Sequence, residues 1–318
     1  MVGYGKKDFH KPPQALARKR CATLYKNGNQ TNMKLYFYFF LAVILSSFSP
    51  IKEINGEIKD AENKSFLQYA NIGISNKSTG TVSNVNGKFS LKIHENIHEN
   101  DLVTFSFVGY QTKTIAISKL NLINNVIELE PEKNQLDEVK VKFVKPKPKV
   151  LGRNSKGFGL MHYNFYTFYE KDVDDRLSKE IGMKFKLKRD CKIQDLNFNV
   201  TSNEFSSLKF RLNFYKIENG LPTELIIKKD IVFEINDGFK GWFKLDLKPY
   251  DIYLDKEFED IAITIQWVES KKANEKSKYF GISTAMSATE TSYFREKSMD
   301  TWKKNGQSLS FYLNALCK

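Results

Sequence analysis

The chain reads as an all-β protein. Three observations predict this: short runs of alternating apolar and polar residues, turn residues between them, and no long amphipathic helical period. The alternation is plainest from 54 to 141. Ile54-Asn55-Gly56-Glu57-Ile58-Lys59-Asp60 opens it, and Ala70-Asn71-Ile72-Gly73-Ile74 and Gly80-Thr81-Val82 follow. Asn86-Gly87 is a turn signal, read as a type I′ hairpin because both residues tolerate positive φ. Leu102, Thr104 and Ser106 alternate with Val103, Phe105 and Phe107. The second set is assigned to the core, each side chain contributing about 1.5–3 kcal/mol on burial.

Residues 161–318 continue in the same style. Candidate strands are Ile181–Leu187, Ile193–Val200, Lys209–Lys216, Ile226–Ile235, Gly241–Asp246, Ala262–Val268, Tyr279–Ser283 and Leu309–Leu313. They predict a second, jelly-roll-like β-sandwich. Asn219-Gly220-Leu221-Pro222 and Asp237-Gly238 read as turns. Between the two domains, residues 142–160 read as a linker. Val144-Lys145-Pro146-Lys147-Pro148-Lys149 favours extended polyproline geometry and opposes sheet pairing, and Gly152, Gly157 and Gly159 add flexibility.

Ahead of the domains, residues 33–50 have the anatomy of a secretory signal. Met33-Lys34 precedes the uncharged run Leu35–Phe48, and Ser46, Ser47 and Ser49 supply small residues at its exit. The run is short for a membrane span of about 20 apolar residues, with an uncleaved anchor as the alternative. Residues 1–32 form a basic leader before Met33, consistent with a misassigned start. The expected compartment is the periplasm, outer membrane or cell surface, and residues 35–48 are where membrane association would occur.

The net charge of +13 invites a nucleic-acid reading, but residues 1–50 alone hold eight basic residues and one acidic. The remaining charges interleave along the strands, with no basic face bearing stacking aromatics. Nucleic acid is therefore not an expected partner. There are three cysteines, Cys21, Cys191 and Cys317. Cys191 and Cys317 could pair in an oxidising compartment, or stay as separate buried thiols.

The segment 54–141 resembles the carboxypeptidase regulatory-like domain, a transthyretin-like sandwich. The resemblance rests on Ile54-x-Gly56-x-Ile58-x-Asp60, Ala70-Asn71-Ile72, Gly80-Thr81-x-Ser83-Asn84-x-Asn86-Gly87-Lys88-Phe89, Phe105-Ser106-Phe107-Val108-Gly109-Tyr110 and the closing Leu136-Asp137-Glu138-Val139-Lys140-Val141. It implies a seven-stranded Greek-key sandwich that scaffolds or docks, with no catalytic role. Similar modules precede the plug and barrel of outer-membrane receptors. About 175 residues after Phe143 are too few for a 22-stranded barrel.

His94-Glu95-Asn96-Ile97-His98 matches H-E-x-x-H. On a helix this spacing sets His94 and His98 on one face to hold zinc, with Glu95 as general base. Here it falls in a short loop between two strands, so the preferred reading is a solvated turn. A zinc metallopeptidase is the rival function, and its test is stoichiometric zinc in the native chain and in Glu95→Gln. No G-x-S-x-G occurs, and no cofactor is expected. Aromatic residues are the better functional hint. Tyr163, Phe165 and Tyr166 open the second domain, and Trp302 stands among charged residues. Such rings stack on sugar faces or anchor a protein partner. The expected function is that of an exported, non-enzymatic envelope binding or scaffold protein. Its partner would be an envelope protein or glycan, and an accessory role in an outer-membrane uptake complex is a further option.

Overall fold

The first strand, β1 (Lys52–Asp60), turns Ile54 and Ile58 inward and Glu53 and Lys59 outward, as its alternation requires. The computed structural model describes residues 52–132, 145–157, 161–165 and 176–318. The leader 1–32, the apolar run 33–50, the closing segment Leu136–Val141 and Tyr166 lie outside the described residues. Among the described residues there is no α-helix, only strands and short 3-10 turns. No helix there is long and apolar enough to cross a membrane.

Among the described residues, the N-terminal module has seven strands in two sheets. β1 lies between β4 (Lys88–Ile93), antiparallel, and β7 (Asn125–Leu129), parallel. β2 (Asn71–Ile74) lies between β3 (Gly80–Val82) and β5 (Leu102–Ser106), and β6 (Lys113–Ala116) completes that sheet. Ile54, Ile58, Phe89, Leu91, Ile127 and Leu129 of one sheet pack on Ile72, Ile74, Val103 and Phe105 of the other. Val103 and Phe105 are fully buried as expected. Phe107 lies beyond the end of β5 and is only half-buried.

Asn86-Gly87 forms a turn but no hairpin, because β3 and β4 belong to different sheets. Only Gly87 takes positive φ. The turn is closed by Asn84, whose Oδ1 accepts the amides of Asn86 and Lys88. Asp60 and Tyr110, distant in sequence, meet at 2.8 Å. The Tyr110 hydroxyl and the amides of Asn63 and Glu62 hold the Asp60 carboxyl below its ordinary pKa, against the opposing effect of burial. Tyr110 is pushed up to about 12, by burial first and the carboxylate second. Because the folded pKa of Asp60 is depressed, its contribution is present above the ordinary value of 3.8 and lost as pH falls through the folded value. The stability difference between the natural chain and Tyr110→Phe should therefore be largest near neutrality and shrink in acid. Denaturant melts over that pH range measure it; a constant difference would contradict the assignment.

The C-terminal domain stacks two larger sheets. The first contains β10 (Glu180–Lys186), β12 (Phe205–Glu218), β13 (Leu221–Leu225), β14 (Ile231–Asn236), β17 (Asp260–Lys272), β19 (Ser292–Arg295) and β20 (Lys303–Asn305). The second contains β8 (Lys147–Gly152), β9 (His162–Asn164), β11 (Cys191–Asn203), β15 (Gly241–Asp246), β16 (Tyr253–Leu254), β18 (Phe280–Met286), β21 (Gln307–Leu309) and β22 (Phe311–Cys317). Phe165, Phe205, Phe210, Trp267 and Phe280 pack as tilted or edge-to-face rings at its centre. Such pairs contribute about 0.5–1.5 kcal/mol beyond their burial.

Part of the stretch read as linker is a strand. Lys147–Gly152 pairs with β22 along its length, Pro148 included. A sheet-edge strand bonds on one side only, so a proline whose missing N–H faces outward leaves the ladder intact. Cys191 and Cys317 are direct cross-strand partners on β11 and β22, with Cα atoms 4.1 Å apart, and they form a disulfide. Residues 52–318 form one compact unit, so the two domains are packed together.

Candidate functional site

The outer face of the first C-terminal sheet is polar yet buried, because the N-terminal module and residues 296–302 cover it. Strand parity places Arg211, Asn213 and Tyr215 of β12 there, with Glu180 of β10 and Thr264 and Gln266 of β17. Arg211, 1% exposed, donates to the Tyr69 carbonyl at 2.7 Å and to Asp230 at 2.6 Å. Its guanidinium lies over the Phe107 ring at 5.4 Å. The Tyr69 hydroxyl donates to Glu269 at 2.8 Å, and Lys209 pairs with Glu269 at 2.7 Å. Asn71 Oδ1 accepts from Gln266 and from Ser298, each at 2.8 Å.

Gly73 explains the closeness of this junction. A Cβ there would stand 2.1 Å from the Ser298 carbonyl oxygen. Gly73→Ala should therefore loosen the junction while both cores persist. The expected readout is faster proteolytic cleavage between the domains with secondary structure unchanged; wild-type resistance would show that the contact can relax.

Glu180 sits beside this junction and is fully buried. Arg295 meets its Oε2 through Nε at 2.9 Å and Nη2 at 2.6 Å. Its Oε1 accepts from Asn213 at 2.8 Å and from the Thr264 hydroxyl. The Tyr215 hydroxyl accepts from Arg295 at 3.0 Å. Burial, and then the charge of Glu180, raise the Tyr215 pKa. Trp302 closes the assembly, its ring 4.5 Å from the Arg295 guanidinium and 5.5 Å from Tyr215. Both oxygens of Glu180 are already bonded within the protein. This cluster is a closed structural network rather than an open reaction centre.

The residues singled out from sequence do not converge. Trp302 is half-buried on the Arg295 side of β19. Tyr163, on β9, packs on Phe294 at 5.8 Å, a neighbour whose side chain points to the opposite face of β19. Burial raises the Tyr163 pKa. Phe165 is fully buried between Phe210, Trp267 and Phe280, so it cannot contact a partner. That reading is corrected: the start of the second domain supplies a core ring, because Phe165 follows the strand pairing of β9 into the sandwich. His94, Glu95 and His98 are exposed in the loop between β4 and β5. The loop is two tight turns, Ile97 N to His94 O and Asp101 N to His98 O, and no helix aligns the imidazoles. No group of three metal-ligating side chains occurs among the described residues.

A surface missed from sequence lies on the other sheet. In β11, Asp195, Asn197 and Asn199 share the outward face. Their neighbours in register are Asp246, Lys244 and Trp242 of β15, with Asn314 and Tyr312 of β22 beside Asp195 and Asn197. Asp195 is a hub. Its Oδ1 accepts from Asn197 at 2.5 Å and from Asn314 at 2.7 Å, and its Oδ2 meets Lys244 Nζ at 3.2 Å. The half-buried Trp242 and Tyr312 rings meet edge-on at 5.2 Å. Nδ2 of Asn199 is buried without a hydrogen-bond partner. The sequence carried a weak signal for this face, the alternation Asp-x-Asn-x-Asn, in which polar residues stand where a strand's outer face must be.

Residues 54–141 match the family model described as CarboxypepD_reg-like domain, so this segment is a carboxypeptidase regulatory-like domain, as its motifs implied. No curated protein is similar enough in sequence to count as a match. Among solved structures, the chain is similar to the clostridial cysteine protease Cwp84 after propeptide cleavage. The identity is 10% and the TM-score 0.36, over 84% of this chain and 71% of that one. A second structure holds the cysteine protease and lectin-like domains of Cwp84, a surface-layer-associated protein of Clostridium difficile. It gives 9% and 0.35, over 84% and 63%. A candidate carbohydrate-binding protein from Bacteroides uniformis gives 10% and 0.21, over 82% and 99%. Nothing about activity follows from likenesses this weak.

Proposed function

We propose that this chain is an exported, non-catalytic binding protein of the cell envelope. Its regulatory-like module is a docked scaffold, and its C-terminal sandwich carries the binding surface on the β15–β11–β22 face. The observation that carries this reading is the contrast between two polar clusters. Around Glu180 every carboxylate oxygen is bonded internally. Around Asp195, two aromatic rings and a lysine side chain 62% exposed remain beside the hub. A surface that keeps rings and hydrogen-bonding groups available is suited to recognition. The disulfide supports export, since such bonds persist in oxidising compartments.

Cell fractionation with sequencing of the mature N-terminus tests the reading. Recovery in an envelope fraction is the expected result, with a start near residue 50 or an intact anchor. Recovery from the cytosol would overturn it.

A further inference from the structure

We propose that the β15–β11–β22 face binds a neutral glycan, with sugar rings against Trp242 and Tyr312 and hydroxyl groups on Asn314 and Lys244. This rests on the binding-surface reading above and names the ligand class for it.

The hydrogen-bonding chemistry comes first. Asp195 receives the Nδ2 groups of both Asn197 and Asn314. Each amide is thereby fixed, and its carbonyl oxygen is turned away from the hub. Neither of those oxygens accepts a bond from another described residue. Lys244 Nζ spends one donor on Asp195 and keeps two. Asn197 is 4% exposed, so the groups the face offers outward are the Asn314 carbonyl oxygen as a fixed acceptor and the Lys244 ammonium as a donor. A hydroxyl is donor and acceptor at once, so neighbouring sugar hydroxyls satisfy such a set without bringing charge.

Electrostatics excludes the charged alternatives. The exposed cation of the face, Lys244, is paired with Asp195, and Asp246 lies next in register. The described residues of this face carry no positive excess, so a polyanion gains nothing there. A cation would compete with Lys244 for an already saturated carboxylate.

The rings supply the apolar part. Trp242 and Tyr312 flank Asn199 and Asn197 from opposite neighbouring strands. The two rings lean together over β11 and meet edge-on at 5.2 Å, forming one contiguous apolar patch. Sugar rings have apolar C–H faces suited to aromatic surfaces, and fixed rings of low entropy are favourable anchors. In this arrangement Asp195 is a positioning residue: it touches no sugar but aims the Asn314 amide that does.

The test is calorimetric titration of the full chain with soluble neutral oligosaccharides (gluco-, xylo- and manno-), and with heparin and polygalacturonate as charged controls. Binding of at least one neutral series is expected, insensitive to added salt. Trp242→Ala should weaken it about tenfold, corresponding to about 1.4 kcal/mol. Lys244→Ala should weaken it and also lower the melting midpoint, because the buried Asp195 loses its cation, whereas Lys244→Arg, which keeps that pair, should retain binding. Asp195→Asn should weaken it while leaving the Trp242 fluorescence change on ligand addition in place. Binding of none of the neutral series, salt-sensitive binding of a polyanion alone, or neutral binding untouched by Trp242→Ala and Lys244→Ala would each overturn the proposal. The envelope-binding reading fails separately, through cytosolic recovery in the fractionation above.

Discussion

Replacing Cys191 and Cys317 together with serine should cost about 4–5 kcal/mol of stability. The bond closes a segment with a sequence separation of 126, and the chain-entropy model gives about that value for a loop of this length. The loss should be seen as a lower denaturant midpoint at pH 7, with the midpoint of the natural chain falling equally under reductant. The consequence is local as well as global. The disulfide joins the start of β11 to the end of β22, and among the described strands β8 pairs with β22 alone. Without the bond, β22 and β8 should fray first, giving early amide exchange at residues 311–317 and 147–152. Equal stability of oxidised and reduced chains would contradict this role.

Arg295→Leu should be comparably damaging, at about 3–5 kcal/mol. It removes the cation from a Glu180 that is fully buried. Stranding one member of a buried ion pair is costly because the remaining charge stays desolvated. Glu180→Gln combined with Arg295→Leu should recover part of the loss, since the carboxylate is then gone as well. A double-mutant cycle by denaturant unfolding measures the coupling. Additive effects would show that Glu180 is held by Asn213 and Thr264 alone. The same cycle should alter the fluorescence of Trp302, which stacks on Arg295.

The period-two pattern made the all-β class and most strand positions legible. Ile54, Ile58, Val103 and Phe105 are buried where alternation put them. The motif residues of the regulatory-like segment also acquire a physical reason, as Asp60 and Tyr110 are hydrogen-bonded across the module. Other features were set by tertiary contacts. Ile226–Ile235 was read as one strand, but pairing starts at Ile231, since residues 226–230 turn back with the Ile226 amide on the Phe214 carbonyl. The pattern of Leu309–Leu313 predicts one strand, whereas the structure divides it at Ser310 between two. Lys147–Gly152 carried linker composition, and only the free edge of β22 makes it a strand. Pairing of the two cysteines was equally undetermined, because register alone brings residues 191 and 317 opposite each other.

The site was the least legible part. Aromatic residues drew attention to Tyr163, Phe165, Tyr166 and Trp302. Phe165 proved a core ring, Trp302 a lid on an internal ion pair, and Tyr166 lies outside the described residues. The Asp195 face has no sequence-contiguous motif. It is assembled by register from three strands far apart in the chain, Cys191–Asn203, Gly241–Asp246 and Phe311–Cys317. Interdomain packing was likewise invisible, since Arg211 and Tyr69 are separated by 142 residues and read singly as ordinary strand and loop positions.

Alkylation of the chain isolated from its own cells, followed by intact mass, is the decisive measurement of its compartment. Cys191 and Cys317 should resist modification until reductant is added, as befits a chain that crossed into an oxidising compartment. Rapid labelling of both thiols without reductant would place the chain in a reducing compartment, and the envelope reading would fall with it.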